Sequence, residues 1–262
     1  MSIELKTPEE IELMRIANML VYQVHQELAP LIVPGVTTEA LDKRAEEVCR
    51  DAGAEPAFLG YPASAPGVGP FTGCICASVN EEIVHGIPGS RELKDGDIIS
   101  VDFGCKLNDF FGDSAQTYRV GEVSDEAEKL LQVTAESLER AIAQCKPGNR
   151  IGDISNAVQS YAEPYGFGIV REFVGHGIGR KMHEPPHVPN FGRPGQGRVL
   201  RTGMVLAIEP MITVGSFATK VLADGWTAVT KDGSLSAHFE HTVAITDSGP
   251  LVLSRPASGA NS

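Results

Sequence analysis

The stretch LKDGDIISVD, Leu93 to Asp102, comes back later in the chain as LRTGMVLAIE, Leu200 to Glu209. Aligned, the two read L-[KR]-x-G-x-[IV]-[IL]-[SA]-[VI]-[DE]. Each is a glycine turn followed by an apolar run suited to a buried strand, and each run ends on a carboxylate. A second acid then opens another strand-like run in each copy: Asp113 in FFGDSAQTYRV and Glu240 in HFEHTVAIT. The preceding helices repeat as well. A helix, a VPG stop at 33–35 and a further helix occupy 8–52; a helix, KPG at 146–148 and another helix occupy 125–166. Two divergent helix–helix–strand units, each delivering two acids, predict a domain of mixed α/β (α+β) class. It should carry an internal pseudo-two-fold repeat, with its site on the axis.

Local signals place the elements. Thr7-Pro8-Glu9-Glu10 is a capping box with proline at the first helical position, leading into IELMRIANMLVYQVHQEL. Thr37 and Thr38 cap a second helix, TEALDKRAEEVCRDAG. A third follows Ser124, and GDISNAVQSYAEPYG reads as a fourth. The Pro- and Gly-rich YPASAPGVGPFTG, 61–73, reads as a surface loop, and CICASV, DIISVDFG and DSAQTYRV read as strands. The expected organisation is one domain over 1–252 with a flexible tail over 253–262.

Composition narrows the function. The 262 residues are 42% hydrophobic and 21% charged, as in an ordinary globular domain. A net charge of −12 with no basic block argues against a nucleic-acid partner. No apolar run is long enough to span a bilayer, and MSIELKTPEEIEL has no secretory pattern, so no membrane partner and a cytoplasmic setting are expected. Five irregularly spaced cysteines agree with a reducing compartment. The Cys74-x-Cys76 pair, without a second pair, is weak as a zinc site.

The acids carry the chemistry. A carboxylate ending an apolar strand is costly to bury unpaired, so something must compensate. Asp102 alone could be a strand-end cap and Asp113 an ordinary turn residue; Glu209, before Pro210 in AIEPM, has nothing local to satisfy it. Four acids together would balance two divalent cations. With one imidazole the set is oxygen-rich, suiting Mn, Fe or Co at least as well as Zn, and it points to a metallohydrolase. GHGIGRKMHEPPH, 175–187, offers His176, His183 and His187 between glycines that rule out a helix, so it reads as a loop or strand end. His85 repeats the His-Gly-Ile pattern of His176. His25, on the first helix, is expected to be structural. His241 should point away from Glu240, and His187 and His238 have no assigned role.

Together Asn80-Glu81…His85-Gly86-Ile87-Pro88, Asp102 with Asp113, GHGIG…H at 175–183, IEPM at 208–211 and SAHFEHT at 236–242 resemble type I methionine aminopeptidases. The match runs in order from about residue 4 to 250. It implies the pita-bread fold, an antiparallel-rich sheet backed by helices, whose pseudo-two-fold agrees with the repeat. It also implies a dinuclear centre with Asp102, Asp113, His176, Glu209 and Glu240 as ligands, Asp113 and Glu240 bridging. The implied metals are two divalent ions per chain (Co, Mn or Fe, with Zn also compatible). The implied activity is removal of the N-terminal methionine from nascent proteins and peptides with a small second residue, by hydroxide generated at the metal pair. Glu209 would shuttle the proton, His183 would hold the oxyanion and His85 would contact the scissile nitrogen. Tyr61, Cys76, Met182 and Trp226 match positions around the methionine pocket. Met182 replaces a common aromatic, and the loop between Tyr61 and Cys76 is longer than in close relatives.

The same resemblance leaves other readings. Proline-type aminopeptidases share the fold but carry a large N-terminal domain for which this chain has no room. A metal-free binding module of the fold would not need all five ligands and both accessory histidines. A metal-dependent phosphoesterase would want an Arg/Lys cluster beside the acids. A monomer is expected, and docking on the ribosome is left open.

Overall fold

Thr7 starts the first helix as its sequence requires. Its hydroxyl accepts from the Glu10 amide at 3.2 Å while Glu10 Oε2 accepts from the Thr7 amide at 3.0 Å. The computed structural model describes residues 3–63 and 65–256. Four helices emerge: α1 (Pro8–Leu28), α2 (Thr38–Asp51), α3 (Asp125–Ile142) and α4 (Ile151–Ala162). The fourth ends earlier than its sequence pattern suggests because Pro164 tightens the following residues, Glu163–Tyr165, into a 3-10 turn. No helix among the described residues is long and apolar enough to cross a membrane.

The quoted repeat is a structural repeat. The strand Ile98–Leu107 pairs antiparallel with Ile75–Val79 and with Phe110–Arg119. In the second half Val205–Ile208 pairs antiparallel with Gly175–Gly177 and with His241–Thr246. The turns that open the two central strands match bond for bond. Gly96, at φ +92°, donates to Val120 O at 2.9 Å, and Gly203, at φ +89°, donates to Ile245 O at 2.9 Å. Both positions lie in the left-handed region, which explains why the glycine recurs. The helix stops match too: Gly35 donates to Leu93 O at 2.8 Å and Gly148 to Leu200 O at 3.0 Å.

Each half packs its helices against its own sheet. Leu20, Leu28 and Leu41 from α1 and α2 meet Ile75, Val101 and Phe103. Leu130 and Ile154 from α3 and α4 meet Leu206 and Ile208. Because side chains alternate along a strand, burying Val101 and Phe103 against helices turns Asp102 to the opposite face. Burying Leu206 and Ile208 does the same for Glu209. The acids therefore face each other between the halves, where the repeat places the axis.

The C-terminal boundary is a correction. Leu253 is fully buried and its amide donates to Thr242 O at 2.9 Å. Ser254 Oγ contacts His241 Nδ1 at 2.8 Å, and Arg255 pairs with Glu139. Residues 253–255 thus belong to the packed domain, and 257–262, the rest of the expected tail, lie outside the described residues.

Candidate active site

Asp113 sits in the strand Phe110–Arg119 opposite Gly104, and that glycine makes room for it. A Cβ on Gly104 would lie 3.2 Å from Asp113 Oδ1 and 3.1 Å from Met182 Cε. The two halves are stitched at this point. Glu240 N donates to Ala115 O at 2.8 Å, Ser114 Oγ donates to Glu240 O at 2.6 Å, and Thr242 Oγ1 donates to Asp113 O at 2.8 Å. These bonds to the backbone thus hold Asp113 and Glu240 side by side, although they are 127 positions apart in the sequence. Asn190 Nδ2 donates to the Glu209 carbonyl at 2.9 Å and fixes the turn before Pro210.

His176 completes the group. Ligand atoms of Asp113, His176 and Glu240, all buried, lie within 4.8 Å of one another. His176 Nδ1 donates to Gly177 O at 2.9 Å, which leaves the Nε2 lone pair facing the acids. Nε2 is 3.6 Å from Glu209 Oε1 and 3.9 Å from Asp113 Oδ2.

The electrostatics of this cluster suit a cation. Asp102 Oδ1, Asp113 Oδ1 and Glu240 Oε1 are buried without any hydrogen-bond partner. Burial pushes the Asp102 carboxyl up to about 7. Burial, and then the neighbouring acids, raise Asp113, Glu209 and Glu240 well above the ordinary carboxylate range. Among the described residues the only basic groups within ion-pairing distance are His176 and His238, and burial holds both near 3, hence neutral. Hard oxygen donors with one imidazole fit divalent ions of the Mn, Fe, Co or Zn type.

These groups line one cavity of about 1080 Å³, and every site residue expected from the sequence borders it. His85 reaches it from a left-handed backbone, φ +60°, unusual for a non-glycine residue. Its ring meets Phe173 at 5.4 Å and Trp226 at 6.3 Å, both edge-on, and burial pushes it down to about 4. Trp226 in turn meets Phe71 at 5.2 Å, and its Nε1 donates to Gly69 O at 3.0 Å. The 61–73 loop is therefore a cavity wall as well as a surface loop. Cys76 and Met182, each 4% exposed, complete the wall. All five cysteines are free, and burial raises the Cys74 and Cys76 thiols.

Two features escaped the sequence reading. Tyr61 does more than line the wall, since its hydroxyl lies 2.7 Å from His183 Nδ1. His238, left without a role, stands against Glu209 and Glu240. By contrast His25 bonds Tyr118 and Ser114, and His241 turns away to Ser254, as expected.

GHGIGRKMHEPPH forms a hairpin between Gly175–Gly177 and Glu184–Val188. Two of its glycines admit the protein's own backbone. A Cβ on Gly175 would lie 2.4 Å from Ala207 O, and one on Gly177 would lie 2.3 Å from Pro185 O. Gly177→Ala should destabilise the fold by about 1–3 kcal/mol through overpacking. It should also weaken metal binding by displacing His176, read by thermal unfolding and metal titration. An unchanged melting curve would contradict this.

Buried carboxylates and an imidazole at the seam of two related half-domains, open to an apolar-walled cavity, define a metal-dependent hydrolase. Known proteins narrow the class. The description of metallopeptidase family M24 matches residues 12–247. Methionine aminopeptidase 1 of Bacillus subtilis is 53% identical over 250 residues, covering 95% of this chain and 98% of that protein. The crystal structure of methionine aminopeptidase from Thermotoga maritima superposes with a TM-score of 0.93 at 46% identity, covering 97% of this chain and all of that one. The prolidase of Pyrococcus horikoshii shares the pita-bread fold, with a TM-score of 0.74 at 20% identity, and this chain spans 64% of it. The chain belongs to metallopeptidase family M24, on its methionine aminopeptidase branch.

Proposed function

We propose that this chain removes the N-terminal methionine from peptides and nascent proteins whose second residue is small. Two divalent ions would be held by Asp102, Asp113, His176, Glu209 and Glu240. The observation that carries this reading is the buried acid cluster with three unpartnered oxygens, set in a frame matching methionine aminopeptidases over nearly its whole length. When bound, such ions supply an activated water nucleophile and polarise the scissile carbonyl.

The chain's own residues do the rest. Tyr61, Phe71, Cys76 and Trp226 form an apolar, aromatic wall suited to a thioether side chain. His183 donates from Nε2 to the carbonyl oxygen as charge builds on it, and His85 contacts the leaving nitrogen. Glu209, whose carboxyl burial raises, is suited to accept a proton from the nucleophile and pass it to the departing amine. The setting in this reading is the cytoplasm, where nascent chains present the terminus.

The test supplies the purified protein with Mn(II), Fe(II), Co(II) or Zn(II) in turn and follows methionine release from Met-Ala-Ser. Peptides with larger second residues should be released progressively more slowly. An Xaa-Pro dipeptide should be cut far more slowly than Met-Ala-Ser. No release from Met-Ala-Ser under any of the metals would sink the reading.

A further inference from the structure

His238 ends the strand Ser236–His238, which pairs with Met211–Thr213 so that His238 lies opposite Met211, two residues beyond Glu209. Its backbone is locked from both sides. His238 N donates to Thr117 Oγ1 at 2.9 Å, and Thr117 Oγ1 donates to His238 O at 2.8 Å. The ring is 1% exposed, and its Nε2 is buried without a hydrogen-bond partner. That nitrogen faces Glu209 Oε2 at 3.7 Å and Glu240 Oε2 at 4.0 Å.

Glu209 is therefore flanked by two imidazoles, one for each oxygen: His176 on the Oε1 side at 3.6 Å and His238 on the Oε2 side at 3.7 Å. The two rings are not equivalent. His176 donates from Nδ1 to a carbonyl and so presents a lone pair at Nε2. Glu240 converges with Asp113 and His176 on a common point, whereas His238 belongs to no such convergence. A lone pair on His238 Nε2 would face two carboxylates and be repelled; an N–H there is attracted to both. An approach of about 0.7 Å from the 3.7 Å separation would bring the pair to an ordinary N–H···O length of about 3.0 Å.

We propose that His238 is a positioning residue for Glu209. Its Nε2–H donates to Glu209 Oε2 and thereby keeps Oε1 turned toward His176 and the metal site. This rests on the reading of Glu209 as a metal-holding, proton-carrying group. Removing such an outer partner typically costs about 10–100-fold in metal affinity or activity.

Amide variants separate this role from its rivals. The amide of His238→Gln reaches the place of Nε2, whereas that of His238→Asn stops short of Glu209. In calorimetric titration of the full chain with Mn(II), Asn should weaken binding about 10-fold or more. Gln should stay within about threefold of the unaltered protein, retaining most of the positioning. On Met-Ala-Ser, Asn should lower kcat with KM little changed, and Gln should restore it. In the unaltered protein loaded with Zn(II), the 15N shift of His238 Nε2 should report a protonated nitrogen.

An unprotonated, metal-bound Nε2 would overturn the proposal, as would Asn binding Mn(II) like the unaltered protein, or Gln as damaged as Asn. If the unaltered protein releases no methionine at all, the functional reading falls. The manganese titration and the nitrogen shift still decide the role of His238.

Discussion

Asp113→Asn is expected to abolish measurable peptide turnover and, at the same time, to raise the melting temperature of the metal-free protein. Both effects come from one cause. Asp113 is buried beside Asp102 and Glu240 with an unpartnered oxygen, and its carboxyl is raised by burial, then by Asp102 and Glu209. Without metal the folded chain keeps protons on these acids that the unfolded chain has already released. Stability of the metal-free protein therefore falls as pH rises from the ordinary carboxylate range, about 4, through the raised folded values. Asp102, pushed up to about 7, completes its loss near neutrality, and the raised carboxyls of Asp113, Glu209 and Glu240 deepen the decline.

A neutral amide at 113 removes one charge from that repulsion. A gain of about 1–3 kcal/mol corresponds to roughly 3–10 °C for a chain of this size, largest at alkaline pH. Metal reverses the order. Binding to the folded state alone stabilises the unaltered protein by mass action, and the variant lacks one carboxylate of the proposed metal site. Thermal unfolding with chelator and with Mn(II), at pH 6 and pH 8, reads all of this. A lower melting temperature for metal-free Asp113→Asn, or manganese binding equal to the unaltered protein, would refute the account.

The conflict between burial and charge is also why so much of the site was legible in the sequence. A carboxylate closing an apolar run is locally unreasonable, and Glu209 announces itself by that; Asp102, which alone could be a strand-end cap, is marked out by the repeat that aligns it with Glu209. The fold was legible for a related reason. Gly96 and Gly203 occupy left-handed positions that other residues avoid, so the repeat kept its glycines while its strands diverged. Contacts made by register rather than by local pattern were silent. His238 reaches Glu209 only because Ser236–His238 aligns with Met211–Thr213, and nothing near residue 238 signals that pairing. The glycines of GHGIG excluded a helix without saying what packs against them. Ala207 and Pro185 of the neighbouring strands lie against Gly175 and Gly177, which only the folded hairpin reveals. Leu253 looked like tail because its burial depends on a strand, His241–Thr246, laid down just before it.

Tyr61 and His183 are 122 residues apart, and their 2.7 Å bond leads to the second large effect. For His183 to donate from Nε2, as the proposed role requires, the phenol O–H must be the donor to His183 Nδ1 in this bond. The proton of a neutral His183 then sits on Nε2, the nitrogen left to act as a donor in the cavity. Burial lowers the pKa of His183, which keeps it neutral near pH 7 and preserves this tautomer. Its ring lies 4.3 Å from that of His176, so the donor is aimed beside the acid cluster. A preorganised donor at the developing oxyanion is typically worth about 10²–10³ in kcat. His183→Ala should lose that much while Mn(II) affinity by calorimetry stays within about threefold, since neither ring nitrogen is proposed as a ligand. Tyr61→Phe keeps the wall but releases the tautomer, so it should cost about tenfold in kcat with KM near its original value. If His183→Ala instead emptied the metal site, or if Tyr61→Phe raised KM and spared kcat, His183 would not be the oxyanion donor that Tyr61 holds in place.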